Sequence, residues 1–130
     1  MYESIKTRVK WVAALALSVE KIQPYKSHVC DVIEDIASAL NSLDPQEATF
    51  AAIKQTINER VRTINNNNIR HSVSFVVDTA FKEAFSHAWE NYQGFLENEA
   101  RSAIVIARAV ADGLQEACEY QVTTYEVPGD

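Results

Sequence analysis

Apolar residues recur along this chain at steps of three and four, the period of a helix buried along one face. Ile5, Val9, Val12, Ala16 and Val19 form the first such stripe, which predicts a helix from about Tyr2 to Ile22, ended by Pro24. A proline lacks only an N–H that the first helical turn does not use, so Pro24 also suits the opening of a second helix. The stripe of that helix is Tyr25, Val29, Ile33, Ile36, Leu40 and Leu43. The segment from Asn41 to Pro45 reads as a turn in which Asp44 caps, Pro45 takes the first helical position and Glu47 stands where a capping box places its acceptor. A third helix is expected to start there and to run on Phe50, Ile53, Ile57, Val61 and Ile64. Asn65, Asn66, Asn67 and Asn68 are poor helix formers that tolerate left-handed backbone, and they predict a polar loop.

A fourth helix is expected from Ile69 to about Tyr92 on a broad stripe that includes Val73, Val77, Ala80, Ala84 and Ala88. Gly94 marks the break before a fifth, from about Phe95 to Gln121, whose stripe of Leu96, Ala100, Ala103, Ala107, Val110, Leu114 and Cys118 is rich in alanine, which lets helices approach closely. The pattern therefore predicts an all-α, antiparallel five-helix bundle over residues 1–121, with residues 122–130 as an extended or disordered tail. An isolated glycine costs a helix only about 1 kcal/mol, so fusion of helices 4 and 5 through Gly94 into a four-helix arrangement is the alternative. A fused rod could not bury its length alone and would imply a dimer or a domain swap.

Composition agrees with this architecture. The chain has 130 residues, 47% apolar, with only three glycines and three prolines, too few for the closely spaced turns of an all-β domain. The net charge of −6 disfavours nonspecific attraction to nucleic acid. The charge is uneven, because Lys6, Arg8, Lys10, Lys21 and Lys26 outnumber Glu3 and Glu20 in the first 26 residues. Helix 1 is thus expected to be drawn to acidic helices, its own or a partner's. No apolar run is long enough for a membrane span, and charged residues close to Met1 leave no room for a secretory signal. A cytoplasmic setting is the expectation unless the chain is cut from a secreted precursor.

Candidate chemistry is sparse. Cys30 and Cys118 fall toward one end of the predicted bundle; two buried free thiols are the first expectation, an internal disulfide the second and an intermolecular bridge the third. His28 and His71 fall near the same end, but no Cys-X-X-Cys or His-X3-His pair exists to nucleate a zinc site. Glu83 and His87 have one residue too many between them for a di-iron bundle motif, and the histidines are expected on exposed polar faces. Three scattered glycines cannot build a phosphate-cradling loop, and no acid–base couple stands out. No cofactor or metal is therefore expected, and an enzyme is the least favoured class.

The aromatic pattern is more informative. Phe75 and Trp89 share a side of helix 4 opposite its main stripe, with Lys82 between them. Either helix 4 occupies the middle of the bundle, the preferred reading, or it presents an aromatic strip to a partner. Trp11, with Leu15 and Ile22, flanks the stripe of helix 1 and could border the same surface. Three functions follow as expectations. The first is a non-enzymatic protein–protein interaction or assembly module, self-associating through Trp11, Phe75, Lys82 and Trp89. The second is a carrier of an apolar small ligand in the bundle core, and the third is a terminal or spacer domain of an extracellular structural protein whose assembly responds to pH or redox state.

Overall fold

A computed structural model of the chain describes the backbone of residues 1–126 and the side chains of residues 1–120. Five α-helices make up the described residues: α1 (Tyr2–Leu17), α2 (Lys26–Asn41), α3 (Phe50–Arg62), α4 (Asn67–Asn91) and α5 (Glu99–Glu126), with a short 3-10 turn at Gln23–Tyr25. Cross-helix contacts fix the directions. Ser4 meets His87 and Arg8 meets Glu83, so α1 and α4 run antiparallel. Asn41 and Leu43 reach Asp112 and Arg108, so α2 and α5 do too. Lys6 meets Glu116 while Trp11 meets Tyr120, which sets α1 parallel to α5. Consecutive helices alternate in direction, as short connections require.

Most positions of the stripes read from the sequence supply the core, whereas Val19 and Ala100 are exposed. Ile5, Val9, Ile33, Val73, Val77 and Leu114 are all fully buried. Both α4 and α5 touch all four other helices, and α5 is the more closely packed of the two. Its buried positions Ala103, Ile106, Ala109, Ala111 and Leu114 point in widely different directions around the helix. Helix 4 thus has neighbours on several sides, but Phe75 and Trp89 stay exposed, so its second face is not covered as the expected middle position requires. Small side chains let α5 be approached from several directions, whereas the bulky off-stripe residues of α4 remain outside.

Helix boundaries moved where polar side chains had a better partner. α1 stops at Leu17 rather than Ile22. Ser18 Oγ donates back to Leu15 O and Gln23 Nε2 donates to Leu17 O, so the chain turns and swings Ile22 into the core. Pro24 consequently lies in the 3-10 turn instead of the first turn of α2. Asp44 does not start a helix: its Oδ1 accepts from Gln46 N at 3.0 Å in a local turn. Thr49, with extended backbone, caps α3 by accepting from Ala52 N at 3.0 Å. Only part of the asparagine run is loop, because Asn66 Oδ1 accepts from Asn68 N and Ile69 N and α4 begins at Asn67.

Gly94 adopts φ +86°, a left-handed conformation that breaks a helix and that glycine adopts without penalty. It ends the α4 side of the connection, so α4 and α5 do not fuse. Successive turns fill residues 92–98, and α5 starts at Glu99 rather than Phe95. At its other end α5 runs to Glu126, past the expected end at Gln121, so residues 122–126 are helical and not an extended tail. The last four residues of that predicted tail lie outside the described residues.

Candidate functional site

The outward surfaces of α1 and α4 carry the largest exposed apolar side chains described. Leu15 is 69% exposed and Trp89 63%, with Phe75 at 48% and Trp11 at 46%. The Ser4–His87 and Arg8–Glu83 pairs are four residues apart on both helices, and the same antiparallel register places Leu15 level with Val76, beside Phe75. Phe75, Asp78, Lys82, Ser86 and Trp89 fall on one exposed face of α4. Lys82 thus lies between the two aromatics, on the solvent side. Trp11 is held by one edge: its ring meets Tyr120 at 5.2 Å in a T-shaped contact, and Lys10 Nζ lies 5.4 Å from its centroid. Ile22 does not join this surface, because it is buried.

Why those side chains stand where they do follows from the charge pattern of α1. Arg8 donates to Glu83 Oε1 at 2.9 Å on the α4 side, and on the α5 side Lys6 and Lys10 reach Glu116 at 3.2 and 3.8 Å. The basic first helix is thus matched by acidic groups of its own bundle. Glu3 and Glu116 beside Lys6 push its ammonium above the usual lysine range. These pairs are partly exposed and contribute modestly to stability. Their larger effect is rotational, since they pin which side of α1 faces inward and leave Leu15 facing out.

A second feature, which no spacing in the sequence signals, is an open groove of about 480 Å³ bounded by Tyr2, Asn41, Ile104, Val105, Arg108 and Asp112. Tyr2 donates its hydroxyl to Asp112 Oδ2, and Asn41 Nδ2 donates to Asp112 Oδ1 at 3.0 Å. Burial, followed by the hydrogen bond to Asp112 and its negative charge, raises the Tyr2 phenol to about 12. Arg108 donates from Nη2 to Leu43 O at 3.3 Å, while its Nε is buried without a hydrogen-bond partner. Because the polar groups are largely engaged with one another, the cluster ties α1, α2 and α5 together and offers no free acid–base couple.

Among the described residues no group of three or more His, Cys, Asp or Glu could hold a metal ion. His28 and His71 are exposed. His87 is not, contrary to expectation: it is half-buried, bonded to Ser4 and 3.2 Å from Asn91 Nδ2, and its ring meets Tyr92 at 5.9 Å. Glu83 is engaged by Arg8. Cys30 and Cys118 are both free thiols, and their side chains interact across the α2–α5 seam. No described helix is long and apolar enough to cross a membrane. No protein-family model matches the chain, and no curated protein or solved structure matches it either.

Proposed function

We propose that this domain is a non-enzymatic assembly module that binds a second copy of itself through the neighbouring outward faces of α1 and α4. The observation that carries this reading is the exposure of Leu15, Phe75 and Trp89 on two helices packed side by side. Single exposed apolar residues are ordinary, but Trp and Phe collected on one surface resemble the anchors of protein interfaces.

The occupant is a second copy because the α4 strip is complementary to itself. Asp78 and Lys82 are four residues apart on the exposed face, so two α4 helices laid antiparallel can set Asp78 of one against Lys82 of the other, twice by symmetry. The aromatics then flank the charged pair and supply its apolar surroundings. The carrier reading gains no comparable support, since the groove at Asp112 is open and edged by mutually bonded polar groups.

Size-exclusion chromatography with light scattering tests the proposal. The wild-type chain should pass with rising concentration from 14.6 kDa to twice that mass. Phe75→Glu and Trp89→Glu should remain monomeric with unchanged melting temperatures, because neither side chain belongs to the core. A wild-type chain that stays monomeric at hundreds of micromolar, on the order of the weakest specific contacts, would refute it.

A further inference from the structure

The α2–α5 seam holds a feature that the proposed interface does not use. Cys30 sits in the second turn of α2 and is partly exposed; Cys118 sits on α5 and is only 2% exposed. The two residues are 88 positions apart in sequence, yet each is packed against the same core, and the antiparallel pairing of α2 with α5 sets them at the same end of the bundle, where their side chains interact across the seam. We propose that Cys30 and Cys118 are a reversible dithiol–disulfide couple, an oxidation site that covalently fastens α2 to α5.

Geometry and electrostatics assign the two sulfurs different tasks. The Cys118 thiol hydrogen-bonds Cys30, which lowers Cys30 from the ordinary thiol range, and burial works against that bond. Lys26, one turn earlier on α2, assists, while Glu34 and Asp31 oppose. Cys118 is pushed upward, first by its hydrogen bond to Cys30 and then by burial. Cys30 is therefore the sulfur that ionises first and that an oxidant can reach, and thiolate character with access is what makes a thiol reactive.

The reaction balances with a disulfide as oxidant, either a small one such as glutathione disulfide or one carried by a protein. Cys30 thiolate attacks one sulfur of that disulfide, forming a mixed disulfide and expelling the other sulfur as a thiolate. Cys118 then gives up its proton to solvent or to the expelled thiolate. Its sulfur attacks Cys30 Sγ, which forms the Cys30–Cys118 bond and releases the second thiol. The protein loses two electrons and two protons, and the oxidant becomes two thiols. Reduction by excess thiol runs the same steps backward.

The test equilibrates the full chain in glutathione buffers of graded redox potential, quenches by alkylation and maps the products by mass spectrometry. The expected result is a monomeric species lighter by about 2 Da, with one peptide linking Cys30 to Cys118 and full recovery of both thiols in excess reduced glutathione. Oxidation should also raise the thermal midpoint by on the order of 10 °C, because the bond closes a long loop. Cys118→Ser should accumulate glutathione on Cys30, whereas Cys30→Ser should resist glutathionylation at buried Cys118. An oxidised wild-type chain that carries only mixed or intermolecular disulfides would overturn the proposal, as would glutathione appearing on Cys118 in preference to Cys30.

Discussion

Gly113 lies in the middle of α5, where α1 comes so close that a side chain has nowhere to go. A Cβ added there would stand 2.7 Å from Val9 Cγ1, 2.9 Å from Val9 Cβ and 2.9 Å from the main-chain oxygen of Lys6. Neither neighbour yields easily. Val9 is fully buried, and a β-branched residue in a helix has essentially one rotamer. The Lys6 oxygen belongs to the backbone of α1 and can retreat only if the helix moves. On an open helix Gly→Ala would stabilise by about 1 kcal/mol. Overpacking a close-packed site costs about 1–3 kcal/mol, and contact with main chain places Gly113→Ala in the upper part of that range, at about 2–3 kcal/mol. The net expectation is destabilisation by about 1–2 kcal/mol.

For a chain of this length the unfolding entropy is about 0.27 kcal/mol per kelvin, so the thermal midpoint should fall by roughly 4–7 °C. Urea unfolding followed by circular dichroism should show a lower midpoint with an unchanged slope. Any outward shift of α1 would also loosen the Tyr2–Asp112 and Lys6–Glu116 contacts, so the tyrosine phenol should titrate nearer its ordinary value in the variant. In Val9→Ala/Gly113→Ala the two losses should sum to less than their separate values, because removing Cγ1 relieves one of the clashes. A Gly113→Ala protein that melts higher than wild type would refute the close approach of α1 and α5 and the packing built on it.

Thr49→Ala should cost about 1 kcal/mol through loss of the α3 cap, and Asp44→Ala clearly less, as measured by chemical denaturation; equal losses would contradict the assignment of the cap to Thr49. Ser102 is fully buried and its Oγ has no partner, so Ser102→Ala should be neutral or stabilising by up to about 1 kcal/mol, and a marked drop in midpoint would argue for a missed hydrogen bond. Tyr2 has a folded-state pKa raised from 10.0 to about 12. Its contribution is therefore fully present below pH 10 and is lost as pH rises toward 12, as the unfolded chain ionises first. Tyrosinate absorbance should show a late-titrating component in the native protein that is lost in Tyr2→Phe, and a titration curve whose late part that substitution leaves unchanged would rule this out.

Helical periodicity was legible because it follows directly from burial along one face: Ile5, Val9, Ile33, Ile36, Val73 and Leu114 are core positions both in the pattern and in the fold. Boundaries were less legible because neighbouring polar residues compete for the same orphan N–H groups. Asp44 and Thr49 are both plausible caps on local grounds. The outcome depends on tertiary contacts, since a helix beginning at Phe50 brings its ring 5.2 Å from Phe85 of α4 and leaves Ala48 buried in the connection. The groove cluster was invisible for a different reason. Tyr2 and Asp112 are 110 residues apart, and nothing in local spacing marks them as partners.

The covering of the second face of α4 was misjudged through residue size. Large aromatics off the main stripe suggested coverage on two sides, yet a helix contacted all round must allow several backbones to approach. The sequence signal for that is alanine and glycine distributed around the circumference, as in the α5 segment from Ala103 to Ala117, which includes Gly113. Phe75 and Trp89 instead interrupt a strip of Asp78, Lys82 and Ser86, the mixture expected at an interface that must also remain soluble before it closes.

With α5 central, the outward side chains of α1 and α4 are dispensable to the core, and this separates folding from association in a testable way. Replacing Leu15 or Trp89 removes little that the monomer buries, so a change in mass without a change in melting reports on the surface alone. The cysteine couple lies on the other seam, between α2 and α5, and its closure adds a covalent constraint without using any residue of the α1–α4 face. A chain oxidised at Cys30–Cys118 should therefore melt higher while its self-association is little altered. If oxidation instead changed the dimerisation constant more than tenfold, about 1.4 kcal/mol, the two seams would be coupled through α5, and the rigid-bundle view of the domain would have to give way to one in which that helix shifts between two positions.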